Sequence, residues 1–202
     1  MERLRLGVLG GTFNPIHLGH CIIAEAACRQ LTLDRILWVL TPAPPHKHNQ
    51  AILGWADRLQ MLRMAVAGNP QFEISWVDIV RQPPTYTRDT INILGEQHPN
   101  AQLFFLIGSD SLVNLPGWYH PRELVAACTG LGVMQRSGTV IDRDWLEAEI
   151  PGIFSKIIFL SAPGVEISSS EIRRKIARGE PCADDLHPEV YEYIHQHKFY
   201  ST

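Results

Sequence analysis

Eleven residues, Gly10 to His20 (GGTFNPIHLGH), constrain this chain more than any other stretch. A short apolar run, Leu4 to Leu9, precedes them, with Arg5 as its only charge. A helical pattern follows, with Ile22, Ile23, Ala26 and Ala27 on one face and Glu25 and Arg29 on the other. The stretch therefore reads as the turn from a first buried strand into a first helix. In an open α/β sheet, the space outside the carboxyl ends of the strands is where ligands bind. Glycines there let the backbone approach a phosphate, and the helix start adds free N–H groups and a positive dipole. His17 and His20 are three residues apart, so one helical face can carry both. A Walker A loop would end in Gly-Lys-Ser/Thr, and a dinucleotide fingerprint would need G-x-G-x-x-G. Neither is present. What remains is a phosphate cradle whose side-chain donors are imidazoles. The plain alternative is a Gly-rich turn with two surface histidines.

The rest of the chain repeats the strand-then-helix alternation. Arg35–Leu40, Phe72–Val80, Leu103–Ile107, Gly130–Gln135 and Lys156–Leu160 read as further strands, the second of these with an irregular continuation. Trp55–Ala67, a segment through Ile91 and Leu94, Asp142–Glu149, a segment after Ser168 and Pro188–His197 read as helices. Arg58, on the first of these, reads as a surface charge. Such alternation predicts a Rossmann-like, doubly wound parallel sheet of five to six strands in a three-layer α/β/α arrangement. With no repeat or linker, residues 1–202 read as one domain whose C-terminal helical part begins near residue 165.

Several segments carry chemistry at the predicted strand ends. Pro42 to His48 is a stiff proline-rich loop with Lys47 between two histidines. Tyr86-Thr87-Arg88-Asp89-Thr90 opens a helix, which serves equally as N-cap chemistry and as backbone N–H groups for an anion. In Gly108-Ser109-Asp110-Ser111, Asp110 can accept from ribose hydroxyls or cap the next helix. Trp118 and Tyr119 follow Pro116-Gly117, where aromatic rings either plug a core edge or stack on a flat heteroaromatic ligand. Ser168 and Glu171 have capping-box spacing, with Arg173 close behind against the dipole's preference. A parallel sheet brings His17, Lys47, Thr87, Asp110, Trp118 and Ser168 to one edge. That convergence outweighs any single motif.

Composition excludes some classes. The net charge of −3 argues against nucleic-acid binding as a main role, and no apolar run reaches the roughly 18 residues of a membrane helix. The first apolar run is too short for a signal peptide. Cys21, Cys28, Cys128 and Cys182 are scattered with no C-x-x-C, so neither a zinc site nor a disulfide framework is expected, and a reducing cytoplasm is.

The motifs Gly10 to His20, Pro45-His46-Lys47, Tyr86-Thr87-x-Asp89-Thr90, Gly108-x-Asp110, Pro116-x-Trp118-Tyr119 and Ile167-Ser168-Ser169-Ser170-x-Ile172-Arg173 resemble those of the bacterial nicotinate-nucleotide adenylyltransferases. The likeness spans nearly the whole chain. One departure is slight, with Ser170 where the family often has threonine. The resemblance implies adenylyl transfer from ATP to nicotinate mononucleotide, with His17, His20 and Lys47 as the catalytic residues. It implies that ATP is held by Gly10, Gly11, Thr12, Phe13, His17 and His20 at the first turn. Gly108, Asp110, Ile167, Ser168, Ser169 and Arg173 would complete that site. It places nicotinate mononucleotide against Asn14, Lys47, Tyr86, Thr87, Trp118 and Tyr119. No carboxylate cluster forms a metal cage, so Mg²⁺ is expected to ride on the ATP phosphates. A homo-oligomer is compatible with the family. A transferase for another phosphate ester and a non-catalytic nucleotide sensor are the alternatives. The Trp-Tyr and Tyr-Thr segments argue against the first, and the complete His-x-x-His set argues against the second.

Overall fold

The computed structural model describes residues 3–44, 52–135, 138–162 and 167–201. Six parallel strands form one sheet: β1 Arg5–Gly11, β2 Arg35–Leu40, β3 Phe72–Ser75, β4 Gln102–Gly108, β5 Gly130–Met134 and β6 Ile157–Leu160. Their spatial order is β3-β2-β1-β4-β5-β6. The order reverses between β1 and β4, which are direct neighbours, and a crevice opens above their carboxyl ends.

Strand alternation splits the apolar residues between two cores. Leu9, Ile36, Trp38, Phe104 and Leu106 face one side, and Leu6, Val8, Leu37, Val39, Leu103, Phe105 and Ile107 face the other. Both faces need cover, so the strands read as continuous apolar runs. Helices α1 (Leu18–Gln30) and α2 (Trp55–Val66) cover the first side. Ile172 of α7 (Ser169–Ala177) and Val190 and Ile194 of α8 (Pro188–Gln196) join the same core. The C-terminal helices thus share the core that Leu9 begins. On the second side lie α3 (Thr87–Gln97), α4 (Ser109–Asn114), α5 (Pro121–Ala127) and α6 (Arg143–Glu149). Packing is close at Gly7, where a Cβ would lie 2.5 Å from Ile36 Cδ1 and 2.8 Å from Leu33 Cδ1.

Three differences from the sequence reading have local causes. The strand expected to run from Phe72 to Val80 stops at Ser75, because Ile79 and Val80 both donate back to the Trp76 carbonyl in a tight turn. That turn buries Asp78 and leaves Val80 exposed. Two short helices, α4 and α5, occupy stretches without clear periodicity. Six or seven residues are too few to show a period, and packing supports them instead. Lys156 precedes β6 rather than starting it. Its ammonium donates to the Val125, Ala126 and Cys128 carbonyls, closing the end of α5.

Candidate active site

The crevice has two lobes. The polar one, about 290 Å³, is lined by Thr12, Phe13, Asn14, His17, His20, Asp110, Ser168, Ser169 and Arg173, among others. The more apolar one, about 340 Å³, is lined by Gly10, Gly11, Gly108 and strand ends, and by Thr85, Tyr86, Thr87, Trp118 and Tyr119. Thr12, His20, Asp110 and Ser111 line both lobes and mark their junction.

Local chemistry builds the polar lobe. His17 stands just before α1 with an extended backbone, and His20 lies in the first turn. Their rings sit 3.7 Å apart, centroid to centroid, with His17 only 4% exposed. His20 Nδ1 accepts the His17 backbone N–H at 3.2 Å. In the neutral ring the other nitrogen, Nε2, then carries the proton, so His20 is set as a donor. Phe13 holds that ring in place by an edge contact at 5.0 Å. Gly11 makes room for it, since a Cβ there would meet the Phe13 ring at 2.8 Å.

The start of α7 is fastened onto this turn. Ser168 caps it by accepting from the Glu171 N–H at 3.2 Å, and Ser169 Oγ donates to the Pro15 carbonyl at 2.8 Å. Arg173 Nη1 donates to the Asn14 carbonyl at 2.7 Å. Because the helix begins at Ser169, Arg173 opens its second turn and not its first. The dipole cost expected for it at the helix start therefore does not apply. Its position is fixed by the contact to the turn.

Arg58 is the largest departure from the sequence reading. It is 1% exposed, not a surface charge. Its guanidinium donates to the Leu53 carbonyl at 2.9 Å, Thr12 at 2.6 Å, Thr41 at 2.9 Å and Pro42 at 2.6 Å. One side chain thus ties the loop after β1 to both described ends of the loop after β2. Burial pushes its pKa down to about 10, still well above neutrality. Its spacing from Met61 and Leu62, at i+3 and i+4, placed it on the buried stripe of α2 and was the available signal. Beside it, Asn14 Oδ1 accepts from the Leu53 N–H at 3.3 Å and from the Tyr200 hydroxyl at 2.8 Å. Burial pushes the Tyr200 hydroxyl's pKa up. Tyr200 is too far along the chain for any sequence pattern to link it to this turn.

The apolar lobe is assembled from distant segments. Trp118 packs edge-on against Phe105 at 6.2 Å and also lines the lobe, so it is both core plug and wall. Tyr86 and Tyr119 stack at 4.1 Å with planes 21° apart. Arg88 turns to the rim, donating to Glu123 Oε2 at 2.6 Å and 2.9 Å and to Asp89 Oδ1 at 2.7 Å. Helix α3 starts at Thr87, so the Thr87 and Arg88 amides have no carbonyl within the helix. Thr85 Oγ1 is buried at the lobe wall with no hydrogen-bond partner among the described residues. Sequence reasoning passed over Thr85 and Asp78, and it read Thr90 as part of a helix start without giving it a place in the site. Their signal was weak, since a buried Asp after a strand looks like an ordinary turn residue.

Of the expected site residues, Ile167 packs against the first core instead of lining a lobe, Asn14 lines the polar lobe rather than the aromatic one, and Gly10, Gly11 and Gly108 line the aromatic lobe rather than the polar one. Lys47 lies outside the described residues. The others are brought together. Among the described residues no group of three or more His, Cys, Asp or Glu could hold a metal ion. Among them, too, no helix is long and apolar enough to cross a membrane.

A switch-point cleft with a His-x-x-His turn beside its junction is the arrangement expected of a nucleotidyltransferase. The cytidylyltransferase-like family pattern matches residues 8–175. A protein of Thermomicrobium roseum named "Probable nicotinate-nucleotide adenylyltransferase" is 41% identical over 198 residues, covering 98% of this chain and 92% of its own. A protein of the same name from Gloeobacter violaceus is 40% identical over 200 residues, covering 98% and 97%. Among solved structures, the Plasmodium falciparum nicotinic acid mononucleotide adenylyltransferase complexed with NaAD shares the fold, with a TM-score of 0.79 over 98% of this chain and 97% of that one at 21% identity. The chain belongs to the nicotinate-nucleotide adenylyltransferase family.

Proposed function

We propose that the chain, as a single nucleotidyltransferase domain, transfers the adenylyl group of ATP to nicotinate mononucleotide, giving nicotinate adenine dinucleotide and pyrophosphate. The family carries the reaction class. The observation that carries the assignment to this site is the pair of unlike lobes meeting at Thr12, His20, Asp110 and Ser111. A polar lobe suits a triphosphate, and an aromatic one suits a pyridine ring. An oxygen of the acceptor's 5′-phosphate attacks the α-phosphorus in line. The bond from that phosphorus to the bridging oxygen breaks, and pyrophosphate leaves with the electron pair. A phosphate is already an anion, so no general base is needed and the protein's work is positioning and charge stabilisation.

His17, His20 through its Nε2–H, and Lys47 would hold the α-phosphate at the junction. Arg173 and the α7 start, nine residues long, would hold the outgoing phosphates. Thr12, Phe13 and Asp110 would take the adenosine side, with Gly10, Gly11 and Gly108 bordering it from the apolar lobe, and Tyr86, Thr87, Trp118 and Tyr119 would take the pyridine end. The acceptor's carboxylate would meet the α3 amides and the unpartnered Thr85 hydroxyl. Mg²⁺ would sit on ATP phosphates and water, neutralising charge on the triphosphate, with Asp110 the carboxylate among the described residues that lines both lobes. Work in the cytoplasm fits the four free thiols. Pyrophosphate release from ATP, measured with a panel of phosphate-ester acceptors, tests the reading. Turnover should be largest with nicotinate mononucleotide, and release with another ester alone would overturn it.

A further inference from the structure

One buried acid has no part in the reaction above. Asp78 is 4% exposed and lines the apolar lobe beside Thr85, Thr87 and Thr90. Its Oδ1 accepts from the Thr90 hydroxyl at 2.7 Å and lies 3.3 Å from Arg81 Nη2. The same hydroxyl lies 3.1 Å from the Tyr86 carbonyl. Asp78 therefore braces the first turn of α3 from inside. Thr90 follows Thr87 by three residues, so the carboxylate bonded to it stands in the lobe wall beside the turn whose amides open α3. Burial pushes its pKa up, while the Thr90 hydrogen bond and Arg81 pull it down and Asp89 adds repulsion. Asp89 is itself bonded to Arg88.

An anion in that wall works against an acceptor that presents a carboxylate there. A neutral amide would be indifferent to it. Two like charges within roughly 10 Å of each other, in a partly buried setting, change relative affinity by about tenfold or more. We propose that Arg81 cancels the field of Asp78 in the acceptor lobe, and that without this cancellation Asp78 would turn the lobe away from an acidic pyridine and toward its amide. The proposal rests on the reading of this lobe as the pyridine end. Arg81 touches no substrate in this account and acts through Asp78.

The test measures kcat/KM for nicotinate mononucleotide and for nicotinamide mononucleotide on the same enzyme preparation, at saturating ATP and pH 8. The proteins are full-length wild type, Asp78→Asn, Arg81→Gln and the double variant. The acid-to-amide ratio cancels active concentration and stability, so a merely structural role leaves it unmoved. Arg81→Gln should lower the ratio about fivefold or more. Asp78→Asn should raise it about threefold or more. The double variant should return to within about twofold of wild type. The amide oxygen introduced by Asp78→Asn can still accept from Thr90, so that variant keeps the α3 brace. If Arg81→Gln fails to fold, Asp78→Asn and the double variant decide. Ratios unchanged in the single variants, or moved in the same direction by both, overturn the proposal. A wild-type ratio near one overturns the reading of the lobe itself, and the proposal with it.

Discussion

The two lobes of the cleft are built in opposite ways. The polar lobe comes largely from two continuous segments, residues 12–20 and 168–173, fastened to each other by side chain to backbone bonds. Its key donor is oriented by a neighbour three residues away. The apolar lobe draws on strand ends, the segment before α3 and the loop after α4, held by ring contacts and a rim of ion pairs. Local bonding fixes direction, which phosphoryl transfer needs. Ring stacking fixes a plane and leaves room to slide, which suits recognition of a flat group. The lobes should thus divide the kinetics, with turnover sensitive to the first and acceptor binding to the second.

The strongest test of that division is His20→Ala. Losing one oriented donor at the reacting phosphate should lower kcat by roughly 10²–10³ while the protein stays folded. Circular dichroism and steady-state kinetics check it, and turnover near the wild-type rate in a folded variant would remove His20 from the chemistry. Next comes the joint between the loops after β1 and β2. Arg58→Met leaves the carbonyls of Thr12, Thr41, Pro42 and Leu53 without their donor. We expect a loss of about 2–4 kcal/mol, or a Tm lower by roughly 5–15 °C. Thermal unfolding checks it. A Tm within about 2 °C of wild type would show that water replaces the guanidinium at little cost.

The same contrast explains what could be read from the sequence. The turn from Gly10 to His20 and the cap at Ser168 are local, so their residue types and spacing announce them. Strands β1, β2 and β4 are apolar runs of six or seven residues between turn signals, and they too are legible. Arg58 was misread because propensity treats a mid-helix arginine as solvated. Only the tertiary fold shows four carbonyls converging on it. Tyr200 reaches Asn14 across 186 positions, a distance no periodicity spans. The stop of β3 at Ser75 comes with a tight turn at Trp76 that buries Asp78, whose partners, Thr90 and Arg81, become apparent only after folding.

Trp118→Ala tests the other half of the division. Stacking on an aromatic ring is worth about 1–3 kcal/mol, so the acceptor's KM should rise about ten- to a hundredfold with ATP binding unchanged. Trp118 also rests on Phe105, so some stability is lost as well. Trp118→Phe separates the two roles, because it keeps a stacking face while shrinking the plug. If the alanine variant loses stability but keeps the acceptor's KM, the ring belongs to the core alone.

Arg173→Ala should give the smallest effect, and it probes whether the α7 start belongs to ATP. The guanidinium already donates to the Asn14 carbonyl at 2.7 Å, with Ser170 Oγ at 3.4 Å from its other terminal nitrogen. Part of its donor set therefore goes to structure, and the rest is available to a phosphate from the lobe wall. Removing one charge-assisted contact of that kind costs about 1.5–3 kcal/mol in full. The α7 amides and Ser169 stay in place, so we expect about a tenfold rise in the KM for ATP and less than a twofold change for the acceptor. Arg173→Lys should recover little of this. A single ammonium cannot reproduce the planar fork that serves the carbonyl and a phosphate together. Initial-rate kinetics varying each substrate at saturating levels of the other decide the matter. A rise confined to the acceptor's KM would move α7 to the other side of the reaction and dissolve the division between the lobes.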